Sequence, residues 1–296
     1  RSMRSTRSGL STTSSASDQV FARPRPFGRG QPVISGPSQD REFPWWLVIL
    51  GVTGLWLFWQ VLANDLYADV LRTLGKGIWV TVWVTVVAYT SACLIGLALA
   101  VASRSRWLVL RQGARLYIEV VRGIPILVLL LYVAFAGTPA FVRVLNVSTE
   151  FLGLDPIRAR DVPLVARAVI SLTIAYSAFL AGIFRAGLQA VDKGQIEAAE
   201  ALGLGRWQRF RHVVFPQAFR MILPPLGNDF VAMVKDSSLV SVLGVADIAQ
   251  LGKVTAAGNF RYFETYNVVA LLYLTMTITL SLALRRLEAR LRQRHG

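Results

Sequence analysis

Residues 194–225 read GQIEAAEALGLGRWQRFRHVVFPQAFRMILPP. This polar, helix-favouring stretch lies between long apolar segments, where a membrane protein would meet a soluble one. Gly203 and Gly205 punctuate it, so the reading is two short helices joined at a turn, with Pro216 limiting how far the second runs regularly. Ala198 and Ala199 would leave a low surface on which another protein's cleft can close. Glu197 and Glu200 place negative charge in the opening turns, where the helix dipole favours it. The plainer reading is a solvated hairpin that merely joins two spans. Against it stand the order and spacing of several elements, which would all have to be accidental.

Working outward, composition sets the class. Of 296 residues 54% are hydrophobic and the mean hydropathy is +0.48, too apolar for an ordinary soluble domain of this length. Apolar runs long enough to cross about 30 Å of hydrocarbon occur near 45–63, 76–102, 114–136, 164–191, 222–245 and 265–285. The expected fold class is therefore an all-α polytopic membrane protein with six transmembrane helices. The fifth run is interrupted by Asp229, Lys235, Asp236 and the Ser237-Ser238 pair. It predicts a helix that breaks or lines a polar cavity.

The net charge of +15 could suggest nucleic acid, but its distribution points to membrane orientation instead. Most basic residues fall in four places: the segment before Trp45, the loop holding Arg104, Arg106, Arg111 and Arg115, the hairpin with Lys193, Arg206, Arg209, Arg211 and Arg220, and the C-terminus from Arg285. The intervening loops hold only Arg72, Lys76, Arg143, Arg158, Arg160, Lys253 and Arg261, set against acidic residues. By the positive-inside rule both termini and the hairpin are expected in the cytoplasm. Residues 1–44, rich in Ser, Arg, Pro and Gly, read as a disordered basic cytoplasmic tail. Their Arg/Ser enrichment also resembles an organelle transit peptide, and Met3 is an alternative start.

In the hairpin, Glu197-Ala198-Ala199, three residues, Gly203, nine residues and Val213-Val214-Phe215-Pro216 resemble the EAA loop of ABC importer permeases at every spacing. The resemblance covers about residues 75–290 and is closest to the polar amino acid branch, the histidine, glutamine and arginine type. Gly77-Ile78-Trp79-Val80-Thr81 resembles that branch's opening, and Tyr117-Ile118-Glu119 with Arg122-Gly123-Ile124-Pro125 resembles its YIE-x-x-RG-[IVT]-P segment. SAFLAGIFRAG, residues 177–187, is similar to SAYxAEIFRGG. Gly194-Gln195 leads into the EAA element. Pro216-Gln217-Ala218, Leu223-Pro224-Pro225-Leu226-Gly227-Asn228 and Lys235-Asp236-Ser237-Ser238-Leu239-Val240-Ser241 complete the set. Two positions depart from it: Gly182 stands where the family often has glutamate, and Phe179 where it often has tyrosine.

The resemblance implies a type I ABC importer transmembrane domain over 75–290, with a coupling loop at 192–222 and one additional N-terminal helix at 45–63. Gly194, Gln195, Glu197, Ala198, Ala199, Gly203 and Pro216 would couple to two ATPase subunits, which alone would bind ATP and Mg. A second permease copy or a paralogue would complete the pathway, and an extracytoplasmic amino-acid-binding protein would deliver substrate. The setting is a bacterial-type inner membrane with its lipids. Another small solute is the nearest rival substrate; a stand-alone channel or secondary transporter is the rival of a different class.

Polar groups at membrane depth are candidates for the pathway because burying charge in hydrocarbon is costly. Glu119 and Arg122, three apart, can pair on one helix; a structural salt bridge and a substrate contact both fit. Pro125 should bend or interrupt that helix. Asp229 and Asp236, seven apart, share a face with Lys235 adjacent. Tyr176, Gly182, Asn228, Ser237 and Ser238 join them as pathway candidates. Arg185 more naturally snorkels to headgroups. Enzyme chemistry lacks an inventory: two histidines, His212 and His295, and one cysteine, Cys93, cannot build a His/Cys metal cluster, and no GxxxxGK[ST] phosphate loop occurs.

Overall fold

The computed structural model describes residues 45–150 and 155–293. The tail expected over 1–44, Met3 included, lies outside the described residues, as does His295. All regular elements among the described residues are helical: α1 (Trp45–Ala63), α2 (Asp65–Ala102), α3 (Leu108–Gly123), α4 (Ile126–Tyr132), α5 (Thr138–Glu150), α6 (Leu164–Gln189), α7 (Lys193–Ala201), α8 (Arg206–Arg209), α9 (Phe215–Asp236), α10 (Ile248–Asn259) and α11 (Tyr262–Gln293), with short 3₁₀ and π turns between some of them. The described residues from Leu47 onward form one unit.

The packing centres on α2 and α6. Buried positions on α2 recur every three or four residues, through Val70, Leu74, Gly77, Thr81, Val84, Ala88, Ala92, Gly96 and Ala100, which is one helix face. Its second half is a stripe of small side chains. Ala168, Ala175, Ala178 and Ala181 of α6 are likewise buried, so the backbones can approach closely, as membrane helices do where no apolar solvent contrast drives them together. A Cβ on Gly96 would stand 3.0 Å from both the Ser177 carbonyl and Leu180 Cβ. Thr173 adds a hydrogen bond across the pair, its hydroxyl donating to the Ala88 carbonyl at 3.3 Å.

A second core joins the first half of α2 to α10 and α11, through Tyr67, Val70, Leu74, Ile248, Val268 and Val269. Asp247, fully buried, caps α10 by accepting from the Gln250 backbone N–H at 2.8 Å and the Tyr273 hydroxyl at 3.1 Å. That cap presses on Gly77.

Four helical stretches among the described residues are long and apolar enough to cross a membrane: Asp65–Ala102, Ile126–Ser148, Leu164–Gln189 and Tyr262–Arg290. The span expected at 114–136 is corrected in its bounds to Ile126–Ser148, and the interruption expected at Pro125 is present. There α3 stops at Gly123, Ile124 is extended (φ −98°, ψ 131°), and Pro125 starts α4, because proline disfavours a helical conformation in the residue before it. The apolar length lies after this break. Beyond α4 the helix widens into a π turn at Val133–Gly137 before α5. The buried Arg167 guanidinium reaches this turn: Nη1 donates to the Ala134 carbonyl at 3.1 Å, Nε to Val162 at 3.1 Å, and Nη2 to Ala159.

The interrupted fifth run is a helix that changes form. Regular α9 ends at Asp236 and a 3₁₀ turn, Ser237–Leu243, carries the chain to Gly244 in the left-handed region (φ 81°). Tyr89 anchors α9 by donating to the Leu226 carbonyl at 2.5 Å.

The Gly77 contact gives a direct test. A Cβ there would lie 2.6 Å from the Ile248 nitrogen and 2.7 Å from the Asp247 carbonyl carbon, both rigid backbone atoms. Gly77→Ala is expected to lower stability by about 1–3 kcal/mol, the usual range for overpacking, read as a reduced thermal midpoint of the detergent-purified protein; Gly75→Ala, where the Cβ meets nothing within 4 Å, should not.

Candidate functional site

Two constellations emerge, one in the hairpin and one among the membrane helices. In the hairpin, Asp192 caps α7 by accepting from the Gly194 N–H at 2.6 Å. The helix ends in a glycine turn: Gly203 has φ +77°, its N–H donates to the Glu200 carbonyl at 2.9 Å, and the Leu204 N–H closes on Ala199 at 3.1 Å, the left-handed termination that a side-chain-free residue permits. Gly205 then opens α8, its N–H held by Gln208 Oε1 at 2.9 Å.

Two contacts fold the hairpin on itself. Arg209 Nη1 meets Glu200 Oε2 at 2.8 Å, and Gln217 Nε2 donates to Gln195 Oε1 at 2.5 Å. The structure thus gives Gln195 a structural partner. Glu197 and Ala198 are exposed while Ala199 is buried, so the low surface expected of both alanines is corrected to Ala198 alone; Ala199 lies on the other face of α7, one helical step of about 100° away.

Pro216 does not stop the second helix, as expected only of its regularity. The chain widens into a π turn at Phe210–Val214 and continues as α9, with the proline near its start, where a missing N–H is least disruptive. The wide turn also realigns aromatic residues that sequence spacing scatters. Trp207 stacks on Phe210 (5.7 Å, 28°), Phe210 meets Phe215 at 5.9 Å, and Phe215 stacks on Phe219 (5.7 Å, 29°). Spacings of three, five and four residues fit one face only if a turn absorbs an extra residue, a signal the sequence reading missed.

The membrane constellation gathers around α6. Tyr176, buried, donates to Asp236 Oδ2 at 2.8 Å. Its neighbour Phe179 carries the Arg122 guanidinium over its ring, 5.4 Å from the centroid, a favourable cation–π placement. A Cβ on Gly182 would lie 3.6 Å from Arg122 Nη1. Arg122 and Asp229 form no ion pair among the described residues. The salt bridge expected between Glu119 and Arg122 is corrected: none forms, because Arg122, in the last turn of α3, turns to α6. Pro125, Asn228 and Lys235 are exposed, Ser238 is half-buried, and Ser237 is buried with its hydroxyl spent on the Val234 carbonyl at 2.7 Å. Tyr117, whose hydroxyl lies 2.9 Å from Ser177 Oγ, ties α3 to α6 beside this cluster.

A folded, glycine-terminated hairpin between apolar helices gives a helical membrane protein a fixed polar surface for contact with a partner outside the bilayer. Residues 92–294 match the binding-protein-dependent transport system inner membrane component family, and the chain belongs to that family. It is 37% identical over 217 residues to the glutamine transport system permease protein GlnP of Escherichia coli (strain K12), covering 73% of this chain and 92% of that one. The probable amino-acid permease protein YxeN of Bacillus subtilis (strain 168) is 37% identical over 210 residues, 71% and 87% of the two chains. Among solved structures it is similar to the crystal structure of an amino acid ABC transporter with histidines, at 37% identity and TM-score 0.64, covering 77% of this chain and 97% of that one. An inward-facing MetNI methionine ABC transporter shares the fold at 23% identity and TM-score 0.58, covering 74% and 96%. The chain is a multi-pass membrane protein, the permease subunit of an ABC importer, and a transport subunit rather than an enzyme.

Gly203→Ala should strain the hairpin turn by about 1–2 kcal/mol, the penalty of a left-handed conformation for a residue with a Cβ. Hydrogen exchange would register this as faster opening of the amides at 202–204 with the membrane helices unchanged.

Proposed function

We propose that this permease forms the pathway for polar amino acids across a bacterial-type inner membrane, as one half of a pair with a second copy or a paralogue. Six helices cross the bilayer, near the apolar runs of the sequence, and both termini face the cytoplasm. An extracytoplasmic amino-acid-binding protein delivers the substrate. Two ATPase subunits, which bind ATP and Mg, receive the hairpin over 192–222, with Gly194, Gln195, Glu197, Ala198, Ala199, Gly203 and Pro216 coupling them to the pathway. The printed descriptions of its relatives, glutamine and amino-acid permeases, support this substrate class.

The observation that carries the reading is the closed hairpin. Its fold is fixed by Gly203, by Arg209 on Glu200 and by Gln217 on Gln195, while Glu197, Ala198, Leu202 and Trp207 remain exposed. A rigid knob with an exposed apolar tip transmits displacement; a floppy connection does not. Closure of the ATPases on ATP would drive the hairpins together and shift the surrounding helices between inward- and outward-facing states, with transport coupled through unequal substrate affinity for the two.

Purification from the native membrane with this chain as bait should recover a P-loop ATPase, and the double substitution Glu197→Lys/Gly203→Asp should reduce that recovery while the protein stays inserted. Gly203→Asp alone should also abolish ATP-dependent uptake. Folded protein that never captures an ATPase, or a Gly203→Asp variant with normal uptake, would overturn the assignment.

A further inference from the structure

The 3₁₀ stretch Ser237–Leu243, continuous with α9, runs for seven residues, about twice the length at which such helices usually stop. Its sequence, SSLVSVL, holds neither proline nor glycine, so nothing in the backbone bars an α-helix there. What favours the tighter form is burial. Ser237, Val240 and Leu243 are the buried residues of the stretch, one at every third position, and a helix of three residues per turn stacks them on one line. At 3.6 residues per turn each would turn about 60° from the one before it.

The stretch is pinned at both ends. At its start, buried Tyr176 of α6 donates to Asp236 Oδ2 at 2.8 Å, at the residue where α9 changes form. At its end, the Gly244 N–H closes on the Ser241 carbonyl at 3.0 Å and the chain turns through the left-handed Gly244. It then enters Asp247, the fully buried cap of α10 that accepts from Tyr273. The far end is therefore tied to the α2–α10–α11 core, and the near end to α6 through the Tyr176 hydroxyl. α9 itself begins at Phe215, at the base of the hairpin, and takes a second tyrosine bond, from Tyr89 to the Leu226 carbonyl.

We propose that Ser237–Leu243 is a two-state coupling element: 3₁₀ with the Tyr176–Asp236 bond made in this state, and α-helical with that bond broken in the other state of the transport cycle. This rests on the reading of the hairpin as the ATPase-coupled part. The rise per residue falls from about 2.0 to about 1.5 Å on conversion, so seven residues shorten by about 3.5 Å. Because α10 is anchored, the shortening draws α9 lengthwise, and the Leu226 carbonyl leaves Tyr89 with it. Displacement of the hairpin at one end of α9 is thus exchanged for a change of helix type at the other. Tyr176 is the positioning residue that sets the balance between the two forms.

The test images the complex recovered from the native membrane, in nanodiscs, by electron cryo-microscopy without nucleotide and after trapping with ATP and vanadate. One state should show the 3₁₀ stretch and the other an α-helix, with the Cα atoms of Asp236 and Gly244 closer in the second by about 3.5 Å. Hydrogen exchange on the full chain without nucleotide tests the latch. Tyr176→Phe should speed exchange of the amides at 238–243 about tenfold, the usual worth of a hydrogen bond to a charged group, since each amide must leave one carbonyl before taking another. Asp236→Asn, which keeps an acceptor for the hydroxyl, should stay within about threefold of the unsubstituted chain, and Asp236→Ala should match Tyr176→Phe. Amides at 84–100 of α2 should not change; a general loosening of the fold would speed those too. If Tyr176→Phe and Asp236→Ala fail to fold, the two images decide alone. One helix type in both states, or exchange at 238–243 that Tyr176→Phe leaves unmoved or speeds only together with 84–100, would overturn the proposal. The ATPase separates the two failures: an unchanged stretch in a complex that holds it refutes the switch and leaves the hairpin reading standing. If no ATPase is recovered, that reading falls and the exchange measurements decide the switch.

Discussion

The closeness of α2 and α6 is the constraint on which the remainder depends. Inside a bilayer, side chains gain little by leaving lipid for one another, so helix association relies on contact area and on hydrogen bonds made at short range. The run of alanines and Gly96 on α2, facing the alanines of α6, supplies both: backbones near enough for Thr173 to reach the Ala88 carbonyl, with no bulky side chain to hold them apart. Because α6 is fixed in this way, the residues it presents elsewhere have defined addresses. Tyr176 reaches Asp236, Phe179 carries Arg122, and Ser177 meets Tyr117.

A scaffold of this kind separates rigid from adjustable parts. The α2–α6 pair is joined by small residues and the α2–α10–α11 core by larger apolar ones, both with buried hydrogen bonds, while the elements that flank the polar cluster are interrupted. The α3–α4 connection breaks at Ile124-Pro125, the Val133–Gly137 turn is wide, and α9 gives way to a 3₁₀ turn at Ser237. These irregular elements pack against α6. The hairpin reverses the pattern, being a compact knob on the membrane helices' polar side, stiffened by one glycine turn and two side-chain contacts.

Much of this was legible in the sequence, for reasons that differ by element. The glycine turn at Gly203 could be read because few residues tolerate its backbone, and the break at Pro125 because proline restricts its predecessor. The third span was begun too early because hydropathy alone does not weigh the break at Pro125 against the apolar run around it. The π turn at Phe210–Val214 leaves no compositional trace; it shows only as an odd spacing between aromatics. The pairing of Glu119 with Arg122 was a local inference defeated by a tertiary contact, since a helix's last turn can face a neighbour instead of its own preceding turn. The Arg122–Phe179–Gly182 juxtaposition joins segments some sixty residues apart, and only the packing of α3 on α6 brings them together.

The three carbonyls around Arg167 come from two separate pieces of chain: the π turn, and the 3₁₀ turn at Ala159–Asp161 with the Val162 that closes it. One buried cation thereby fastens all of them with backbone dipoles alone. A carboxylate in that role would be neutralised by acid and, if near the surface, weakened by salt. Carbonyl oxygens offer neither handle, so this joint is built to hold at the same strength whatever the acidity or ionic strength of the surrounding water.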